Sequence, residues 1–374
     1  MENPFIYGGI VTGENFVNRG KELVELRRDL LSGKSVVLYS LRQMGKTSLV
    51  DELFSRLGDD VYSVRVDVSA VESRRALAEQ IIEAIVDSAY TRLDRVKKAV
   101  TELPELLRGL RVNVVVTPEG ELRLDVSKET AKKEMEKIFD FAENFAHQKG
   151  KRMLLAFDEF QDIASLDGVA IEKLMRSKFQ RHKNVTYLFT GSKRRMLLRM
   201  FNDESRPFYK FSRPMELGPI PKREFGEFIS HKFKESGGKI SGGAVDAVLE
   251  LTGGHPYYTQ QLCHELWFVS KTVLDKLMVQ EAVDRVVIHE KKNYLEIMGG
   301  LTPLQRRFLR GLAMEEKASI FSETFIESYE LKTHSHVQRL VKSLEQKGIL
   351  DEGKIPDVFF REWLRKLNQT KKWR

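Results

Sequence analysis

Residues 35–57, SVVLYSLRQMGKTSLVDELFSRL, restrict the possible folds more than any other part of the chain. The run SVVLY at 35–39 is β-branched and apolar, as a buried strand requires, and TSLVDELFSRL at 47–57 has the spacing of an amphipathic helix. Between them stands GKT, with Ser40 where the pattern GxxxxGK[ST] has its first glycine. A strand, a tight loop and a helix in that order form the context in which such a loop binds phosphate. Further strands are expected near 61–67, 153–157 and 185–190, so the chain reads as α/β, a parallel sheet with helical crossovers.

The chemistry of the loop follows from its residue types. Backbone N–H groups around Gly45 at the start of a helix cradle phosphate oxygens. Lys46 would neutralise the β and γ phosphates, the Thr47 hydroxyl would help hold magnesium, and Ser40 and Ser48 complete the cofactor-binding set. Ser40 would cost on the order of 1 kcal/mol if its position demands a positive φ.

Residues 153–161, MLLAFDEFQ, carry two acids out at the end of an apolar run. Ligands of parallel sheets bind beyond the strand C-termini, so Asp158 is placed to position hydrated magnesium and Glu159 to polarise attacking water. The bland alternative is a buried strand followed by an acidic turn. After the run at 185–190 come Gly191, Ser192, Lys193, Arg194 and Arg195. Ser192 could sense the γ-phosphate and one of the arginines could face the nucleotide, or the segment is only a strand end followed by a solvated basic helix.

The chain's 374 residues divide into three expected domains. Residues 1–220 would hold the phosphate loop, with a hairpin insertion near 111–127 around Pro118-Glu119-Gly120 that either shields the domain or contacts a partner. RPMELGPIP at 213–221 marks the exit to a helical domain at 221–298, in which TGGHPYY brings His255 and Pro256 to the opening of a helix. His255 and His264 lack a converging acid or cysteine for a metal site. With a single cysteine, Cys263, the chain forms no internal disulfide, and a reducing, cytoplasmic compartment is expected. No apolar run is long enough to span a bilayer, so no membrane association is expected.

Residues 299–374 read as a winged helix. Val337, Leu340, Val341 and Leu344 share one helical face, leaving His336, Arg339 and Lys342 on the recognition helix at 335–347 as contacts for nucleic acid or a partner. A short strand pair should follow Gly348. The net charge of +8 permits duplex DNA as a partner, but the helix is mixed in charge and serves protein docking or self-regulation equally well.

Taken in order, FVNRGKEL (16–23), LRQMGKTSL (41–49), AFDEFQ (156–161), LFTGSK (188–193), RPFYK (206–210) and TGGHPYY (252–258), with the winged-helix pattern, resemble the predominantly archaeal ATPase family within the STAND class, distant relatives of AAA+ ATPases. The resemblance spans nearly the whole chain. It implies ATP or ADP with Mg2+ as cofactors, hydrolysis to which the C-terminal domains respond as a conformational switch and which would be slow if a partner must complete the site, and an unidentified protein partner or self-association. It further implies that Arg19 and Glu22 are polar anchors, that Arg195 senses phosphate, and that the His255–Pro256 turn touches nucleotide. Two other readings remain: a DNA-binding regulatory or mobile-element ATPase, and a nucleotide-bound scaffold with negligible turnover.

Overall fold

The computed structural model describes residues 2–17, 19–90, 112–116, 122–126, 135–269, 273–315 and 319–369. The chain divides into two compact units, one formed by Arg19–Gly218 and the other by the segments before and after it.

In the first unit α1 (Gly20–Leu31), β1 (Val36–Tyr39), α2 (Lys46–Ser55), β2 (Val61–Asp67) and α3 (Arg74–Ala89) precede an antiparallel pair, β3 (Val112–Val116) and β4 (Leu122–Val126). This pair lies where the sequence places a hairpin; the turn at 118–120 and residues 128–134, expected to begin the next helix, lie outside the described residues. Then follow α4 (Met135–Lys149), β5 (Arg152–Asp158), α5 (Ala164–Phe179), β6 (Val185–Gly191), α6 (Arg194–Asn202) and β7 (Arg213–Glu216).

β1, β2, β5, β6 and β7 form one parallel sheet in the order β2-β5-β6-β1-β7. The interior strands are buried and mostly apolar: Met153–Phe157 of β5 and all of β6 are buried, as expected for strands covered on both faces. At the edge, β2 alternates buried Val64 and Val66 with exposed Arg65 and Asp67. Phe157 stacks on Phe189 at 6.0 Å across the β5–β6 pair, and Tyr187 on Phe179 at 4.0 Å. Register brings Tyr39, Gly191 and Glu216 level, so the chain leaves three neighbouring strands at the same end.

β7 adds a strand to the sheet within residues 213–221, the segment expected to mark the exit from the sheet domain, and the unit ends just after it at Gly218. Pro214 lies within this strand, opposite Val37, and proline is admissible there because β7 is an edge strand.

The second unit contains α7 (Lys222–Glu235), α8 (Gly242–Thr252), α9 (Pro256–Val269), α10 (Lys276–Gly299), α11 (Pro303–Met314), α12 (Glu323–Ser328), α13 (His334–Gln346) and α14 (Val358–Gln369). A two-residue parallel pair, β8 (Lys239–Ile240) and β9 (Val273–Leu274), joins the loops before α8 and α10. Helical and winged-helix segments share one core that includes Phe225, Leu262, Val286, Phe308, Leu344 and Trp363. Phe5 and Val17 are buried in that same core, so the first segment of the chain belongs with this unit and not with the sheet, contrary to a single domain at 1–220. The cause is apolar matching: the Phe5 ring sits 4.7 Å from Phe233.

Asp357 ties α14 down. Its Oδ1 accepts the N–H groups of Phe359 and Phe360, both at 2.9 Å, and the Tyr294 hydroxyl of α10 donates to the carboxylate at 3.3 Å. The expected strand pair after Gly348 is a single antiparallel bridge, Asp351 to Lys354, too short to form a ladder.

A candidate phosphate-binding site at the strand ends

Between β1 and α2 the backbone turns through left-handed conformations at Gln43 (φ 58°) and Gly45 (φ 83°). Ser40 is not among the residues with positive φ, so the strain anticipated there falls instead on Gln43. α2 has neither a side-chain cap nor an acidic residue in its first turn, so its leading amides and the positive end of its dipole would favour an anion there.

Lys46 is only 7% exposed. Its Nζ donates to the Ser40 hydroxyl at 3.0 Å and to the Leu41 carbonyl at 3.4 Å, while the Ser40 hydroxyl itself donates to Leu41 O at 2.7 Å. Burial pushes the ammonium below its ordinary value, and Arg42 adds to this; the charges of Glu159 and Asp158 oppose it. An arriving phosphate would supply the counter-charge that the buried ammonium lacks.

Asp158 ends β5. Its Oδ1 accepts the Thr190 hydroxyl and the Glu159 N–H, and its Oδ2 accepts the Thr47 hydroxyl at 3.4 Å. A carboxylate and a hydroxyl converging this closely form the hard-oxygen pair that magnesium prefers, so the residues present fit that ion. Glu159 adopts a left-handed backbone (φ 47°), and its Oε2 accepts the Ser192 N–H at 3.1 Å and hydroxyl at 2.8 Å. Lys46, Thr47, Asp158, Glu159 and Ser192 therefore gather around the ends of β1, β5 and β6, and Ser48 is buried in the first turn of α2.

Arg19, 3% exposed, braces the loop from behind: it donates to Met44 O at 3.2 Å and Gly218 O at 2.7 Å, and pairs with Glu22 at 3.1 Å. Arg195 is exposed on α6, whereas Arg194 lies over the Tyr39 ring at 5.4 Å and pairs with Glu216 at 3.2 Å. His255 and Pro256 stand in the other unit, where Gly253 and Gly254 (φ 62° and 73°) turn the chain into α9. A Cβ on Gly254 would lie 2.4 Å from Ile220 O, and the Ile220 N–H donates to Gly254 O at 3.0 Å. On α13, Arg339 and Lys342 are exposed and His336 half-buried, with Val337, Leu340 and Leu344 facing the core as expected.

Sequence reasoning missed Thr190 and Gln161, both in contact with the acids. Their signal was local: each lies within three residues of a strand end that the motif had already marked.

Comparison with known proteins agrees with this geometry. A family model described as an ATPase domain predominantly from Archaea matches residues 16–262, and one for a probable winged helix domain matches 292–366. No curated protein matches the chain. Among solved structures, a Walker-type ATPase of Pyrococcus abyssi superposes with TM-score 0.64 at 17% identity, over 94% of this chain and 97% of that one. The Aeropyrum pernix ORC2 protein, in ADPNP–ADP complexes, gives 0.53 at 14% identity over 96% and 97%. The Aeropyrum pernix ORC1 protein in complex with DNA gives 0.50 at 15% identity over 95% and 94%. At these identities the likeness is one of fold.

Proposed function

The chain belongs to the family of ATPase domains found predominantly in Archaea, and from that premise we propose that it is a magnesium-dependent, STAND-type switch in which ATP turnover alters how the C-terminal unit engages a partner. The observation that carries this reading is the convergence of Lys46, Thr47 and Asp158 beside an uncapped helix start. In it Lys46 exchanges Ser40 Oγ and Leu41 O for β and γ phosphate oxygens. Thr47 and Asp158 hold magnesium, which when bound neutralises charge developing on the phosphoryl group. Glu159 takes the proton of the attacking water, Ser192 links that carboxylate to the γ-phosphate position, and Ser48 lies within the first-turn amides.

Nucleotide binding and hydrolysis separate the roles. Lys46→Ala is expected to lower ATP affinity at least a hundredfold in a fluorescent-nucleotide titration. Glu159→Gln should bind as tightly as the parent yet hydrolyse at least a hundredfold more slowly. Undiminished binding by Lys46→Ala removes the phosphate-site premise, and a parent that binds ATP without turnover supports the scaffold reading.

A DNA-binding regulatory or mobile-element ATPase is the second reading, favoured by exposed Arg339 and Lys342 on the helix of a winged-helix domain. It requires duplex DNA binding that weakens steeply with salt and that Arg339→Ala/Lys342→Ala reduces, with a shallower salt slope. Absence of binding at low salt excludes it.

A further inference from the structure

We infer that Gln161 is a positioning residue for hydrolysis, clamping one carboxylate oxygen of Glu159 so that the other is presented to water; the inference rests on the role of Glu159 given above. Gln161 is fully buried in the turn after β5. Its Nε2 donates to Glu159 Oε2 at 2.6 Å, the same oxygen that accepts the Ser192 N–H and hydroxyl. Three donors from two separate strand ends thus meet on Oε2, and none of them reaches Oε1.

The other end of the amide shows that packing is not the reason for a glutamine here. Gln161 Oε1 is buried without a hydrogen-bond partner, a cost to stability that an apolar side chain of the same length would avoid. That oxygen lies over Gly191, where a Cβ would stand 2.0 Å from it. Gly191 is not among the positive-φ glycines, so it is the space taken by Gln161, and not a backbone conformation, that calls for glycine. The last residue of DEFQ and the glycine of TGS therefore serve one device, built around a glutamate whose own backbone is left-handed. A carboxylate that must take a proton from water has to be oriented before the water attacks, and loss of alignment by about an ångström costs roughly a hundredfold in rate.

Gln161→Met keeps length and bulk while removing the amide. Steady-state hydrolysis of ATP by the full chain should show kcat lowered about tenfold to a hundredfold, with nucleotide Kd within about twofold of the parent and a melting temperature equal or higher. Gly191→Ala should lower kcat similarly, and the double variant should be no slower than the slower single one, because both disable the same contact. Parental kcat in Gln161→Met, or a loss confined to nucleotide affinity or melting temperature, overturns the proposal. The failure of the underlying reading looks different: Glu159→Gln would then hydrolyse ATP like the parent.

Discussion

Ser40 illustrates how a departure from a motif acquires meaning at the level of single atoms. Its hydroxyl accepts from the Lys46 ammonium and donates onward to Leu41 O, so the side chain that replaces glycine gives the buried cation a neutral partner. Because its φ is not positive, Ser40→Gly gains no relief and loses the hydrogen bond. Thermal or urea denaturation should show about 1 kcal/mol of destabilisation. Gln43→Gly, at φ 58°, should leave stability unchanged or improved in the same assay. That Lys46, Thr47, Asp158 and Glu159 would meet at the strand ends was legible in the sequence because strand–loop–helix order and two acids at the end of an apolar run put them there. The left-handed glutamine was not, since no composition or period marks it.

Strands were legible where a long apolar or alternating run marks them, as in β2 and β5, and obscure where they are short and lie at an edge. β5 carries an unbroken apolar run and β6 a β-branched and aromatic one, but β7 is four residues long, contains Pro214 and sits at an edge, so its sequence looks like a linker. The antiparallel wing is likewise only one bridge. Two element junctions carry sharper expectations. Gly254→Ala combines φ 73° with a 2.4 Å approach to Ile220 O, and should destabilise the C-terminal unit by about 2 kcal/mol or more in thermal melts. Asp357 caps α14 with a carboxyl that burial pushes above its ordinary value, only partly offset by the Phe360 and Phe359 amides it accepts. A raised folded value means that its protonation favours the native state in acid, and this contribution is lost as pH rises through that value. Asp357→Asn, which keeps an acceptor for the amides, should flatten this part of the stability profile above the ordinary carboxylate range. Asp357→Ala should flatten the profile in the same way and in addition lose the cap, costing about 1–2 kcal/mol in acid and less as pH rises.

At the scale of the molecule the parallel-sheet unit and the winged helix were both readable, whereas the allegiance of the first segment was not. PFIYGG looks like an ordinary start to whatever follows it, and only the burial of Phe5 and Val17 among α7–α14 shows where it belongs. Phe5→Ala should accordingly destabilise the C-terminal unit by about 3–5 kcal/mol while leaving nucleotide affinity unchanged, measured by melting and titration of the same sample. The nucleotide unit is thus threaded, as one uninterrupted piece, into the sequence of its neighbour. During synthesis at about 5–20 residues per second, roughly 10–45 s separate the emergence of Phe5 from that of Phe233. Throughout that interval an aromatic anchor made first waits for a core made last, and the nucleotide unit can finish folding in between, which makes the early apolar segment the part of the nascent chain most in need of protection.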